Sequence, residues 1–309
     1  MSRIHEALRR AEQERAAGLT AQKLEERQDA VAPGDVIVSA PPVSRTEAVL
    51  PAVAATVPNV LQFEEICAKS SHPQWKPNPN LLVFSNSDPF HTGTEQFRTL
   101  RSRLYRMRDS QPLHTILVSS AIPAEGKTLV AANLAHALAR QQGSRVLLID
   151  ADFRSPRVHT LLGAPATPGM VDYLQSSGDE LQVIQQGPEP GLCFIPAGTH
   201  VTHPSELISS DRMKQFLLRV KPAFDWIIID SPPTVPVADA SVLAGLCDGV
   251  LFVVRANSTP AETAKKGCKE LRGAQILGVV LNTVQETTEY GAYYSGHAYG
   301  LPVQTKSKK

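Results

Sequence analysis

The stretch HTILVSSAIPAEGKTLVAANLAHALARQQ, residues 114–142, decides the fold. Its first seven residues form a short, nearly continuous apolar run, the pattern of a strand buried on both faces. Its last fifteen, from Thr128, are rich in Ala and Leu and read as a helix. Between them, Ala121–Thr128 nearly matches GxxxxGK[ST], with Ala121 where the pattern has its first glycine. In such a loop, backbone N–H groups face phosphate oxygens and the helix N-terminus adds a favourable dipole. Gly126 permits close backbone approach. Lys127 is placed to reach β- and γ-phosphates, and the Thr128 hydroxyl to ligate Mg²⁺. The loop residues Glu125, Gly126, Lys127 and Thr128 are thus expected around a bound ATP.

Working outward, the same pattern repeats. RVLLID (145–150), LCFIP (192–196), DWIIID (225–230), GVLFVVR (249–255) and ILGVVLN (276–282) are further apolar runs, separated mostly by helix-length segments such as AETAKKGCKELRGA (261–274). Continuous apolar strands alternating with helices predict an α/β fold, a doubly wound and mainly parallel sheet covered on both faces. Ligands of such folds bind at the C-terminal ends of the strands.

Two more strands end in acid. Asp150 and Asp152 close the second run, with Arg154 just beyond, and Asp230 closes DWIIID. Carboxylates there can hold Mg²⁺ directly or through water, and one can take a proton from an attacking hydroxyl. Taken singly, each reads better as a helix cap or turn residue; two such motifs beside a phosphate loop favour metal and catalysis.

The phosphate loop, IDADFRSP and IIIDSPP together resemble Walker A, A′ and B of the bacterial tyrosine kinase (BY-kinase) family, the autokinases of capsule and exopolysaccharide export. The resemblance spans roughly residues 85–300 and includes PAGTHVTHPSELISSDRM, with His203 where the family has Asn. It implies a P-loop NTPase fold using MgATP. It makes Lys127, Asp150, Asp152 and Asp230 the catalytic set, with Thr128, Asp150 and Asp230 at the metal. Asp150 and Asp152 share metal and base duties in a division left open. Arg154 is expected at the cofactor, and Asn282, by analogy alone, at adenine. Related ATPases that position septa and plasmids carry an extra lysine five residues before the loop lysine; Ile122 stands there in this chain. A non-kinase P-loop ATPase switch of that type is the alternative reading.

Two family elements lie outside the loop. EQFRTLR supplies Glu95, Arg98 and Arg101 on one helical face, resembling a ring-assembly motif of the family. EYGAYYSGHAYG supplies Tyr290, Tyr293, Tyr294 and Tyr299, four of the chain's six tyrosines. By resemblance that cluster is the substrate, phosphorylated in trans by a neighbouring subunit.

Composition sets the remaining limits. Among 309 residues, 42% are hydrophobic and 20% charged, as in globular proteins. A formal net charge of +1 gives no field that points to nucleic acid. The cysteines Cys67, Cys193, Cys247 and Cys268 form no CxxC pair and read as reduced thiols. The sequence predicts neither a secretory signal nor a transmembrane helix, the closest apolar stretch (VLAGLCDGVLFVV) being broken by Asp248. The expected organisation is an N-terminal amphipathic helix (1–28), a flexible Pro/Ala-rich linker (29–80), a P-loop kinase domain (81–285) and a flexible tyrosine-rich tail (286–309). The resemblance places the chain in the cytoplasm, recruited to the inner membrane face by a membrane polysaccharide co-polymerase that activates it.

Overall fold

The computed structural model describes residues 60–85, 92–176 and 179–284. Seven strands form one sheet: β1 (Thr115–Ser120), β2 (Val146–Asp150), β3 (Gln185–Gln186), β4 (Leu192–Ile195), β5 (Trp226–Asp230), β6 (Gly249–Arg255) and β7 (Ile276–Asn282). Their order is β3-β4-β2-β5-β1-β6-β7. Every pairing is parallel except β3 with β4. All six apolar runs of the sequence are strands. The seventh, β3, is a two-residue edge piece with no apolar signal.

Period-2 alternation sorts the strand side chains into two cores. Leu117, Leu147, Ile149, Ile227 and Ile229 face one cluster. Ile116, Val118, Leu148, Trp226 and Ile228 face the other. Because both faces are covered, β2 and β5 are buried at every position, which explains their unbroken apolar sequence.

The helices are α1 (Phe63–Lys69), α2 (Thr92–Arg108), α3 (Lys127–Ala139), α4 (Val158–Leu162), α5 (Met170–Gln175), α6 (Pro204–Ile208), α7 (Asp211–Val220), α8 (Asp239–Ala244) and α9 (Ala261–Glu270). The buried side chains of α3, with Leu104 of α2 and Leu161 of α4, line the second cluster; α5, α7 and α8 line the first. Helix α3 is buried almost throughout beyond its first turn, so its sequence is Ala- and Leu-rich rather than amphipathic.

The sequence differs from the structure at two places. Residues 60–80, expected as linker, belong to the folded unit. Ile66 of α1 is fully buried, and Trp75 packs edge-on against Phe194 at 5.9 Å. The Pro-rich stretch after α1 is anchored through its backbone, Lys76 N–H donating to Gly163 O and Asn78 N–H to Leu161 O. Low propensity for regular structure concealed these anchors. The other place is β7, whose sequence reads as central although the strand forms the sheet edge, with Val279 and Leu281 exposed. The expected N-terminal helix (1–28) and tyrosine tail (286–309) lie outside the described residues.

Candidate nucleotide site

The site lies where the C-terminal ends of β1, β2 and β5 meet. Asp150 and Asp230 are register partners on adjacent parallel strands, and Val118 of β1 pairs with Asp230 on its other side. The loop from β1 therefore emerges beside both aspartates.

Gly126 ends that loop with φ +93°, a left-handed conformation suited to glycine, and caps α3. A Cβ at this position would meet Asn282 Nδ2 at 1.9 Å. Asn282, at the end of β7, donates through Nδ2 to the Glu125 carbonyl at 2.9 Å. Its amide thus braces the loop backbone. Glu125 is itself buried. Its carboxylate accepts from Ile122 N–H at 2.8 Å and from the Thr259 hydroxyl at 2.6 Å. Sequence reasoning expects Glu125 at the nucleotide; its side chain instead ties the loop to the β6–α9 connection.

Lys127 reaches over the strand ends, its Nζ 2.8 Å from Asp152 Oδ2. Burial opposes its charge, but the negative field of Asp230 and Asp152 outweighs this and raises its pKa. Asp150 is fully buried. Its Oδ2 accepts from the Arg157 and Val158 N–H groups at the start of α4, and its Oδ1 from Asp152 N–H. Burial, then the charge of Asp230, holds its pKa well above the usual carboxylate range. Asp150 thus anchors the turn into α4, as a turn or cap residue does, and still contributes charge to the site.

Asp230 differs. Both its oxygens are buried and neither meets full hydrogen-bond geometry, although the Thr128 hydroxyl and the Ser231 N–H stand close by. Burial pushes its pKa up to about 6, against the opposing effects of Lys127 and of the neighbouring Thr128 hydroxyl. A buried carboxylate whose hydrogen bonds are left incomplete requires an explanation. Hard oxygen ligation of Mg²⁺, shared with Thr128 and phosphate oxygens, supplies one. The described residues contain no cluster of three or more His, Cys, Asp or Glu side chains that could hold a metal by itself.

Arg154, expected at the cofactor, is bound elsewhere in this state. Its Nε lies 2.8 Å from Asp239 Oδ2, and Ser205 Oγ donates to Asp239 Oδ1 at 2.6 Å. Neither Asp239 nor Ser205 has a local sequence signal for this role; nor does Thr259. Glu95 and Arg98 pair with each other, and Arg101 donates to the Ala137 carbonyl at 2.8 Å. These three stand on α2, apart from the aspartates. The four tail tyrosines lie outside the described residues.

A mainly parallel sheet carrying a lysine-bearing loop after its interior strand β1, with acidic ends on the two strands to one side of it, β5 and β2, defines a P-loop nucleotide-binding protein. The family model for the AAA domain matches residues 114–274. The chain is 35% identical over 215 residues to tyrosine-protein kinase YwqD of Bacillus subtilis, covering 68% of this chain and 90% of that one. It is 33% identical to the putative tyrosine-protein kinase EpsB of Ralstonia nicotianae over 68% of this chain, but spans only 29% of that longer protein. The kinase domain of Escherichia coli tyrosine kinase ETK superposes with a TM-score of 0.64 at 30% identity, covering 70% of this chain and 84% of that domain. The chain belongs to the bacterial tyrosine kinase family.

Proposed function

We propose that this chain is an ATP-dependent protein-tyrosine autokinase, acting in trans on Tyr290, Tyr293, Tyr294 and Tyr299 and so regulating exopolysaccharide or capsule polymerisation and export. The observation that carries the reading is the convergence of Lys127 with Asp150, Asp152 and Asp230 at one set of strand ends. The resemblance to named tyrosine kinases supports it.

Each residue then has a task. Backbone N–H groups of the loop through Gly126 cradle the phosphates, and Lys127 exchanges Asp152 for β/γ-phosphate oxygens. Thr128 and Asp230 hold Mg²⁺, which when bound neutralises phosphate charge. Asp150 or Asp152 accepts the tyrosine hydroxyl proton as Oη bonds to the γ-phosphorus and the bond to the β,γ-bridging oxygen breaks, releasing ADP. Asn282 sets the loop at one edge of the site and, by analogy with the family, contacts adenine.

Glu95, Arg98 and Arg101 form the contact of a homo-oligomeric ring, in which a tail reaches a neighbour's site. No described helix is long and apolar enough to cross a membrane. In this reading a membrane polysaccharide co-polymerase recruits the chain to the inner face of the membrane.

The test is complementation between two defective chains. A Lys127→Met chain with its tail is mixed with an active chain lacking residues 286–309, and MgATP is added. Labelled tyrosine on the Lys127→Met chain is the expected result. ATP hydrolysis with no labelled tyrosine on either chain would instead identify a non-kinase ATPase switch.

A further inference from the structure

Among the described residues, strand β7 leaves one edge and part of one face of the sheet uncovered. Val279 is 56% exposed, Leu281 62% and Val284 58%, with Ile276 at 39%. They account for four of the seven large apolar side chains exposed among the described residues, so the patch is concentrated rather than scattered. Val279 and Leu281 are register partners of Phe252 and Val254, and they extend the core beneath α9 past its last covering helix. An apolar edge strand with unpaired backbone groups is a template for one more strand.

The chain itself supplies a candidate. Directly after β7, Thr283 has φ +59°, a left-handed conformation uncommon outside glycine, Asn and Asp, and its N–H is bonded to Asn282 Oδ1. A left-handed residue of this kind can start a chain reversal, and a loop of residues 283–288 would bring Glu289 opposite Asn282. The sequence then continues from Gln285 to Lys309, and residues 289–296 read EYGAYYSG. In an extended chain, alternate residues share a face. Tyr290, Ala292 and Tyr294 then line one side, matching in length the face of Val279 and Leu281. Aromatic rings against β-branched and aliphatic partners are favourable cross-strand pairs.

We propose that residues 289–296 of the unphosphorylated tail lie antiparallel along the free edge of β7 in their own chain. The docking stands apart from the kinase reading. Its consequence rests on that reading: docked tyrosines are withheld from a neighbour's site until the strand peels away. A phosphorylated Tyr290 or Tyr294 would bring a charge of about −1.5 to −2 onto an apolar face, which disfavours return.

Hydrogen exchange on the phosphatase-treated full chain, without nucleotide, tests the docking independently of catalysis. Amides of 276–282 and of 289–296 should exchange on the order of tenfold more slowly than in two controls. The first control is a chain ending at Val284, read over 276–282. The second is full-length Leu281→Lys, which should match wild type in thermal midpoint because Leu281 is exposed. Unprotected amides at 289–296 in the wild-type chain would overturn the proposal. So would unchanged protection, on tail removal, of those 276–282 amides that do not bond to β6: if it rises with protein concentration, a second copy covers the edge, and if it vanishes on deletion of residues 1–59, the N-terminal segment does.

Discussion

Gly267 of α9 lies against Ala121: a Cβ added to Gly267 would stand 2.8 Å from the Ala121 methyl and 2.9 Å from its Cα. The phosphate-loop pattern has glycine where this chain has Ala121, and the space for the extra methyl comes from the helix opposite. Gly267→Ala should gain about 1 kcal/mol of helix propensity yet lose more by pushing on the loop backbone and on Thr234 Oγ1 at 2.8 Å. Ala121→Gly removes the nearest contact, so the double variant should be more stable than Gly267→Ala alone. A coupling of about 0.5–3 kcal/mol in urea unfolding is expected; additive effects would show that the two residues do not share this space.

Glu125 should govern ATP affinity without touching ATP through its carboxylate. Glu125→Ala removes acceptors for Ile122 N–H and Thr259 Oγ1 from a buried place. Hydrogen bonds to a charged group contribute about 1.5–3 kcal/mol. Calorimetry should therefore show ATP binding weakened by roughly tenfold or more. Thr259→Ala should weaken it less, and should add little in a Glu125→Ala background. Equal ATP affinity in Glu125→Ala and wild type would refute the bracing role.

Lys127 also has a structural share. Its side chain and that of Asp152 are 13% and 4% exposed. Breaking such a pair from one side costs about 3–5 kcal/mol, because a carboxylate stays buried without its partner. Lys127→Met should therefore be measurably less stable than wild type in denaturant unfolding. Adding Asp152→Asn should recover much of the loss. If the double variant is less stable than Lys127→Met, the pair does not account for the cost.

His136 makes stability depend on pH. Burial, aided by Arg140, lowers its pKa to about 4. Unfolded, it titrates near 6.5, so between about 6.5 and 4 the unfolded chain binds the extra proton and stability falls as pH falls. Full protonation would cost on the order of 3 kcal/mol. Asp150 and Asp230, whose pKa values are raised, act in the opposite sense. The informative quantity is thus the difference between wild type and His136→Gln. That difference should shrink steadily from pH 7 to pH 4.5 in urea unfolding; a constant difference would contradict it.

The strands were legible because burial on both faces writes an uninterrupted apolar run, as in WIIID of β5. Edge position leaves no such mark. ILGVVLN reads like WIIID, although β7 has a neighbour on one side alone. Ile66, in a single short helix, and Trp75, in the Pro-rich stretch after it, were hidden because their order comes from tertiary contacts. At the site, Gly126, Lys127, Thr128, Asp150, Asp152 and Asp230 are readable because they sit at strand ends or in a fixed loop pattern. Glu125 with Thr259, and Arg154 with Asp239 and Ser205, join loops 34 to 134 residues apart. No local spacing encodes which loops meet.

The central claim is that the Lys127 site transfers phosphate to tail tyrosines. Wild-type and Lys127→Met chains, both stripped by phosphatase and confirmed folded by circular dichroism, are incubated separately with MgATP and analysed by peptide mass spectrometry. Phosphotyrosine within residues 290–299 of the wild-type chain, and none in Lys127→Met, is the predicted result. Equal phosphorylation of the two chains, or an unmodified wild-type tail under conditions where ATP binds and the oligomer forms, would contradict it.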